Sequence, residues 1–148
     1  MSKIIFSFIF AIFLIASATT NIFACDCIRS GNDDLQELVE FDYENSEAVF
    51  SGEVIGISKN PGSLVVKVKF KIEKSWKNIS QEEVSLIASN NDECGYVFKI
   101  GKRYLVYTQG KVNNLETSIC TRTSNYESNK DIDFLNQIKK PEIISSPK

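Results

Sequence analysis

The sequence predicts a mainly β domain: a small closed barrel of five strands with flanking helices, held by two disulfides. Five short runs of β-forming residues, separated by turn residues, have the pattern of a small barrel. One of them alternates apolar and charged positions over most of its length. Four cysteines, Cys25, Cys27, Cys94 and Cys120, follow an apolar leader, as in exported domains that lock a modest core with disulfides.

Residues 1–24 read as a signal peptide. Lys3 supplies a positive start, and the apolar run at 4–18 is shorter than the ~20 residues of a spanning helix. Ile22-Phe23-Ala24 ends in a small residue suited to cleavage, and no second apolar run follows. The mature protein is therefore expected to be secreted, extracellular or periplasmic, without a stable membrane span. Cleavage after Ala24 makes Cys25 the first residue, with a free α-amine. Bacterial lipidation on Cys25 is the alternative. Against it, Phe23 is bulky for that signal, and lipidation would leave three thiols, an odd number in an oxidising compartment.

Removing the leader leaves 124 of 148 residues, enough for one domain and one core over 25–140, with a loose tail over 141–148. The leader holds one lysine and no acid, so the formal charge moves from −2 to −3. That balance argues against nucleic acid, polyanions or a membrane surface as partner. A monomer is expected. The chain has no histidine, which excludes Ser-His and Cys-His catalytic pairs and histidine metal sites. No catalytic constellation is in view, and no cofactor of its own is expected. Four cysteines allow three connectivities. A Cys25–Cys27 bond would close a strained ring, so both N-terminal thiols are expected to reach out to Cys94 and Cys120.

In chain order, residues 33–41 read as a helix capped by Asn32 or Asp33, with Leu35, Leu38 and Val39 on one face. The polar stretch 42–47 is a turn or one more helical turn. Residues 48–58 form a strand containing Gly52 and Gly56, which suit a bulge or a sharp bend. Asn60-Pro61-Gly62 is a turn. In the strand at 63–76, Val66, Val68, Phe70 and Ile72 alternate with Lys67, Lys69, Lys71 and Glu73, one dry face and one wet. The lysine row reads as a solvated face in preference to a polyanion stripe, and Trp76 is expected to close one end of the core. Residues 83–89 are a third strand, with Val84, Leu86 and Ala88 on one side and Ile87 on the other. A polar loop at 89–93 leads into Cys94. Strands follow at 102–108 and 115–120, the last ending at Cys120. Ser128-Asn129-Lys130-Asp131 resembles a cap before a helix that packs Ile132, Leu135 and Ile138, and Pro141 stops it. Tyr104 and Tyr107 read as core or barrel-rim residues. Ser118, Thr121 and Thr123 have no suitable base nearby and are rejected as nucleophiles. Asn78-Ile79-Ser80 is a glycosylation acceptor only where the host has that pathway.

Together these motifs resemble a known family. Cys25-Asp26-Cys27 stands at the mature N-terminus, followed by Ala48-Val49-Phe50-Ser51-Gly52-Glu53-Val54. The strand end at 70–76 runs into Lys77, then come Cys94-Gly95, Gly101-Lys102-Arg103-Tyr104-Leu105-Val106 and Ser118-Ile119-Cys120. In order and cysteine placement this is similar to the N-terminal, netrin-like domain of the tissue inhibitors of metalloproteinases. The resemblance implies an OB-type five-stranded Greek-key barrel and the pairing Cys25–Cys94 with Cys27–Cys120. It further implies that the partner is a zinc metalloprotease, whose catalytic zinc takes the α-amine and carbonyl oxygen of Cys25. Cys25, Asp26, Cys27 and Ile28 would form one ridge with Asn91, Asp92 and Glu93.

The family's vertebrate inhibitors have a third disulfide in this domain and a second domain, neither of which is read in this sequence. At mature position two, where a small hydroxyl residue or similar is usual, stands Asp26. A carboxylate driven unpaired into an apolar pocket costs several kcal/mol. Either the target's pocket is polar or basic, or the protein does not inhibit in this way. The alternative is a non-inhibitory netrin-like binding module that uses a barrel face.

Overall fold

The computed structural model describes Cys25, Cys27 and residues 34–89 and 94–145. Asp26, Ile28, Asn91, Asp92 and Glu93 lie outside the described residues, as does the leader. The first helix among the described residues, α1 (Leu35–Asn45), is capped by Asp34, whose side chain accepts from Gln36 N at 2.9 Å. The cap thus falls one or two residues later than the sequence suggests, and the helix takes in most of the polar 42–47 stretch. Its last carbonyls explain the extension. Ser46 Oγ donates to Asp42 O at 2.6 Å, and Lys77 Nζ donates to the carbonyls of Tyr43 and Glu44, both at 2.9 Å. Carbonyls that a helix end leaves unpaired are satisfied by a side chain from a distant strand.

The barrel is built from β1 (Ala48–Lys59), β2 (Val65–Lys77), β3 (Glu83–Ser89), β4 (Arg103–Lys111) and β5 (Asn114–Thr117). Neighbours run β1-β2-β3-β5-β4, and β1 pairs with β4 to close the ring. All these pairs are antiparallel except β3–β5. This is the closed five-stranded, OB-like barrel expected. A short β6 (Ser124–Asn125) adds to β4, a 3₁₀ turn spans Tyr126–Ser128, and α2 (Asp131–Ile138) follows, ahead of β7 (Glu142–Ile143).

Two clusters share the apolar residues. One, including Phe50, Val54, Val68, Phe70, Ile72, Leu86 and Val106, fills the barrel, with Phe50, Phe70, Phe98 and Tyr104 meeting edge to face. The other packs Val39 of α1 and Leu135 of α2 against Val49, Trp76, Leu105 and Tyr107. Successive strand residues point to opposite faces, so β1 and β4 are buried on both sides where the helices cover them. Trp76 therefore belongs to the helix–barrel layer, not to one end of the barrel core; its Nε1 donates to Asn136 Oδ1 at 3.0 Å.

Other expectations are corrected. Glu73, expected on the wet face of β2, is only 5% exposed. Arg103 donates to its Oε2 from Nε at 3.0 Å and from Nη2 at 2.7 Å, and stacks 4.3 Å from the centre of the Tyr126 ring. A buried carboxylate is tolerable there because a guanidinium meets it. The last barrel strand stops at Thr117, before Cys120, because 118–121 forms a turn. The tail is not loose over 142–145: β7 pairs with Lys74 and Ser75 of β2, Ile144 N donates to Glu73 O at 2.9 Å, and Ser145 Oγ donates to Ile72 O. On α2, Leu135 is fully buried and Ile132 packs partly, while Ile138 is 37% exposed. The helix starts with Asn129 Oδ1 accepting from Asp131 N at 2.8 Å.

Candidate functional site

The four cysteines draw three distant segments together. Cys25 is bonded to Cys94, with Cα atoms 5.5 Å apart, and Cys27 to Cys120 at 5.2 Å. This is the pairing that the resemblance implies. Cys94 is exposed and the other three cysteines are half-buried. Ile119 N donates to Cys94 O at 3.1 Å, so the two halves of the cluster are also joined through the backbone.

The turn that carries Cys120 is built by its own side chains. Cys120 N donates to Ser118 Oγ at 3.2 Å, and Thr121 donates to Ser118 O from both its N (3.2 Å) and its Oγ1 (2.9 Å). Beneath it, Thr117 Oγ1 lies 2.8 Å from the hydroxyls of both Thr121 and Thr123. Thr123 Oγ1 accepts from Tyr107 N and donates to Tyr107 O, both at 3.0 Å. These buried hydroxyls anchor the turn to β4, the structural use that their rejection as nucleophiles leaves open.

Next along the chain, Arg122 reaches inward. Its Nε and Nη2 donate to the two oxygens of Asp131 on α2, each at 2.8 Å, and Asp42 of α1 lies 3.7 Å away. The hydrogen bond to Asp131 holds the guanidinium above its ordinary value. Tyr107 donates to Asp131 Oδ2 at 3.4 Å. Burial first, and then the charge of Asp131, push its phenol well above the ordinary tyrosine value. The loop that holds Cys27 is thus fixed by a charge network spanning both helices and β4. Beside it a cleft of about 390 Å³ opens between Leu35, Ile119, Arg122, Ser124, Asn129 and Lys130.

Among the residues singled out from the sequence, the structure gathers Cys25, Cys27, Cys94 and Cys120. Asp26, Ile28, Asn91, Asp92 and Glu93 are outside the described residues. It adds Ile119, 41% exposed beside the disulfides, which the sequence placed in a motif but not in the ridge. An aliphatic residue next to Cys120 was the only signal for it. Trp76, Tyr104 and Tyr107 are buried, as core residues should be. Lys67 and Lys69 are exposed, and Lys69 pairs with Glu83 at 2.5 Å. Among the described residues, no three His, Cys, Asp or Glu side chains gather to hold a metal, and no helix is long and apolar enough to cross a membrane.

Fold and cysteines together define an OB-like barrel whose N-terminal segment is clamped to it by two cystines. No protein-family model matches the chain, and no curated protein matches it.

Proposed function

We propose that the protein is exported and inhibits zinc metalloproteases through Cys25, in the manner of the inhibitor family it resembles. The observation that carries this reading is the double clamp: Cys25 and Cys27 are each bonded to the barrel, with one residue between them. A staple has no need to begin at the first residue of a mature chain. A catalytic zinc keeps one coordination position open for water. The α-amine and carbonyl oxygen of Cys25 would fill it and displace the water that attacks substrate. An α-amine with an ordinary pKa near ~8 reaches its neutral, metal-binding form at modest cost. Holding the donors in place before docking reduces the entropy lost on binding. The zinc belongs to the partner, and the protein brings no cofactor.

The test compares the chain beginning at Cys25 with one carrying a single extra alanine in front, against a panel of zinc endopeptidases. Inhibition by the first and its loss in the second is the expected result. Equal inhibition by both, or inhibition by neither, overturns the mechanism. The second reading, a netrin-like binding module, is favoured by one surface: Val65, Lys67 and Lys69 are exposed along one face of β2, with Ser58 and Gly56 of β1 opposite the two lysines. A module of that kind is indifferent to the added alanine.

A further inference from the structure

We propose that Asn78 accepts an N-linked glycan from a lipid diphosphate-linked oligosaccharide. The inference rests on the export proposed above and not on inhibition. Asn78-Ile79-Ser80 has the required spacing, an amide two residues ahead of a hydroxyl with no proline between. Such triplets arise by chance, and a usable one must leave room for the glycan in the folded chain.

Asn78 is the first residue after β2 and is exposed. Its φ is 57°, in the left-handed region that asparagine enters more readily than most residues. Ser80 is exposed as well, whereas Ile79 between them is 4% exposed and packs into the barrel core. The two chemically required residues therefore stand at the surface while the one between them anchors the turn.

The acceptor amide is also oriented. Asn78 Nδ2 donates to Glu47 O at 2.8 Å, next to the contacts that Lys77 makes with the end of α1. A cleft of about 250 Å³ opens beside it, with Ser80, Lys139 and Glu142 on its walls, a polar bed for a first sugar. Transfer forms a bond between Nδ2 and C1 of the reducing-end sugar. The bond from C1 to the diphosphate oxygen breaks, the lipid diphosphate leaves, and the amide gives up one proton. Nδ2 carries two hydrogens, so one remains for the carbonyl of Glu47. The site sits at the turn end of the β2–β3 hairpin, and the far end of β3 leads on to Cys94. Modification and disulfide cluster are thus kept apart.

The full chain with its leader, secreted from an N-glycosylating eukaryotic cell, tests this by intact mass before and after an amidase that releases N-glycans and leaves aspartate. The expected result is a mass above that of the polypeptide, removed by the enzyme, with position 78 then read as aspartate in peptide mapping. Asn78→Gln and Ser80→Ala should both be secreted at the bare polypeptide mass. Ser80→Ala keeps the Asn78 side chain and its bond to Glu47, so loss of the glycan there reports the acceptor and not a folding failure. Secreted wild-type chain at its bare mass, or an amidase-sensitive glycan persisting in Asn78→Gln, overturns the proposal.

Discussion

Tyr107 shows what a single side chain carries in this barrel. It is fully buried, its backbone holds the hydroxyl of Thr123, and its phenol meets the carboxylate that Arg122 neutralises. With its folded pKa raised, the unfolded chain ionises first as pH climbs past the ordinary value near ~10. Its contribution to stability is therefore complete below about pH 10 and is lost progressively above it. Tyr43 and Tyr96, also raised by burial, add to the same slope. Thermal melts from about pH 8 to about pH 11 should show wild type losing stability above about pH 10 and Tyr107→Phe losing distinctly less. At neutral pH the same substitution should cost about 1 kcal/mol for its hydrogen bond. Little of this network is legible in the sequence. Arg122 and Asp131, or Glu73 and Arg103, find each other through tertiary packing, so a period-two pattern assigns Glu73 to solvent. Exposure of Ile119 is hidden for the same reason.

Elements were readable where local chemistry decides them. β3 matches its expected bounds because its alternation is flanked by polar residues, and the glycines of β1 announced irregularity. Register shifts occur between Ser51 and Gly52 and between Val54 and Gly56. The two glycines are not equivalent. A Cβ on Gly52 would lie 2.5 Å from Lys71 O of the facing strand, whereas one on Gly56 would meet only Lys69 Cβ at 3.8 Å. Gly52→Ala should therefore destabilise the protein by about 1–3 kcal/mol in urea titrations, as overpacked sites do. Gly56→Ala should change it by less than about 0.5 kcal/mol. Equal effects would show that strand separation at Gly52 does not limit β1. β7 was unreadable from sequence, since a two-residue strand exists only where β2 offers it an edge.

At the scale of the whole molecule, the expectation of a closed barrel came from five strands and their turns, and four cysteines behind an apolar leader called for two bridges. The Cys27–Cys120 bond spans a sequence separation of 93. Replacing both residues by serine should cost about 2–5 kcal/mol of unfolding free energy, measured by denaturant titration, with the larger part assigned to the unfolded chain in the entropic model. The spacing of Cys25 and Cys27 has one more consequence, for biogenesis. Exchanging their partners would close loops of almost the same length, so a chain oxidised at random has little entropic ground for preferring the native isomer. The preference has to come from the barrel, which sets Cys94 and the Cys120 turn in register through the Ile119 contact. Strand closure must then precede productive oxidation, or thiol–disulfide exchange must correct the early products.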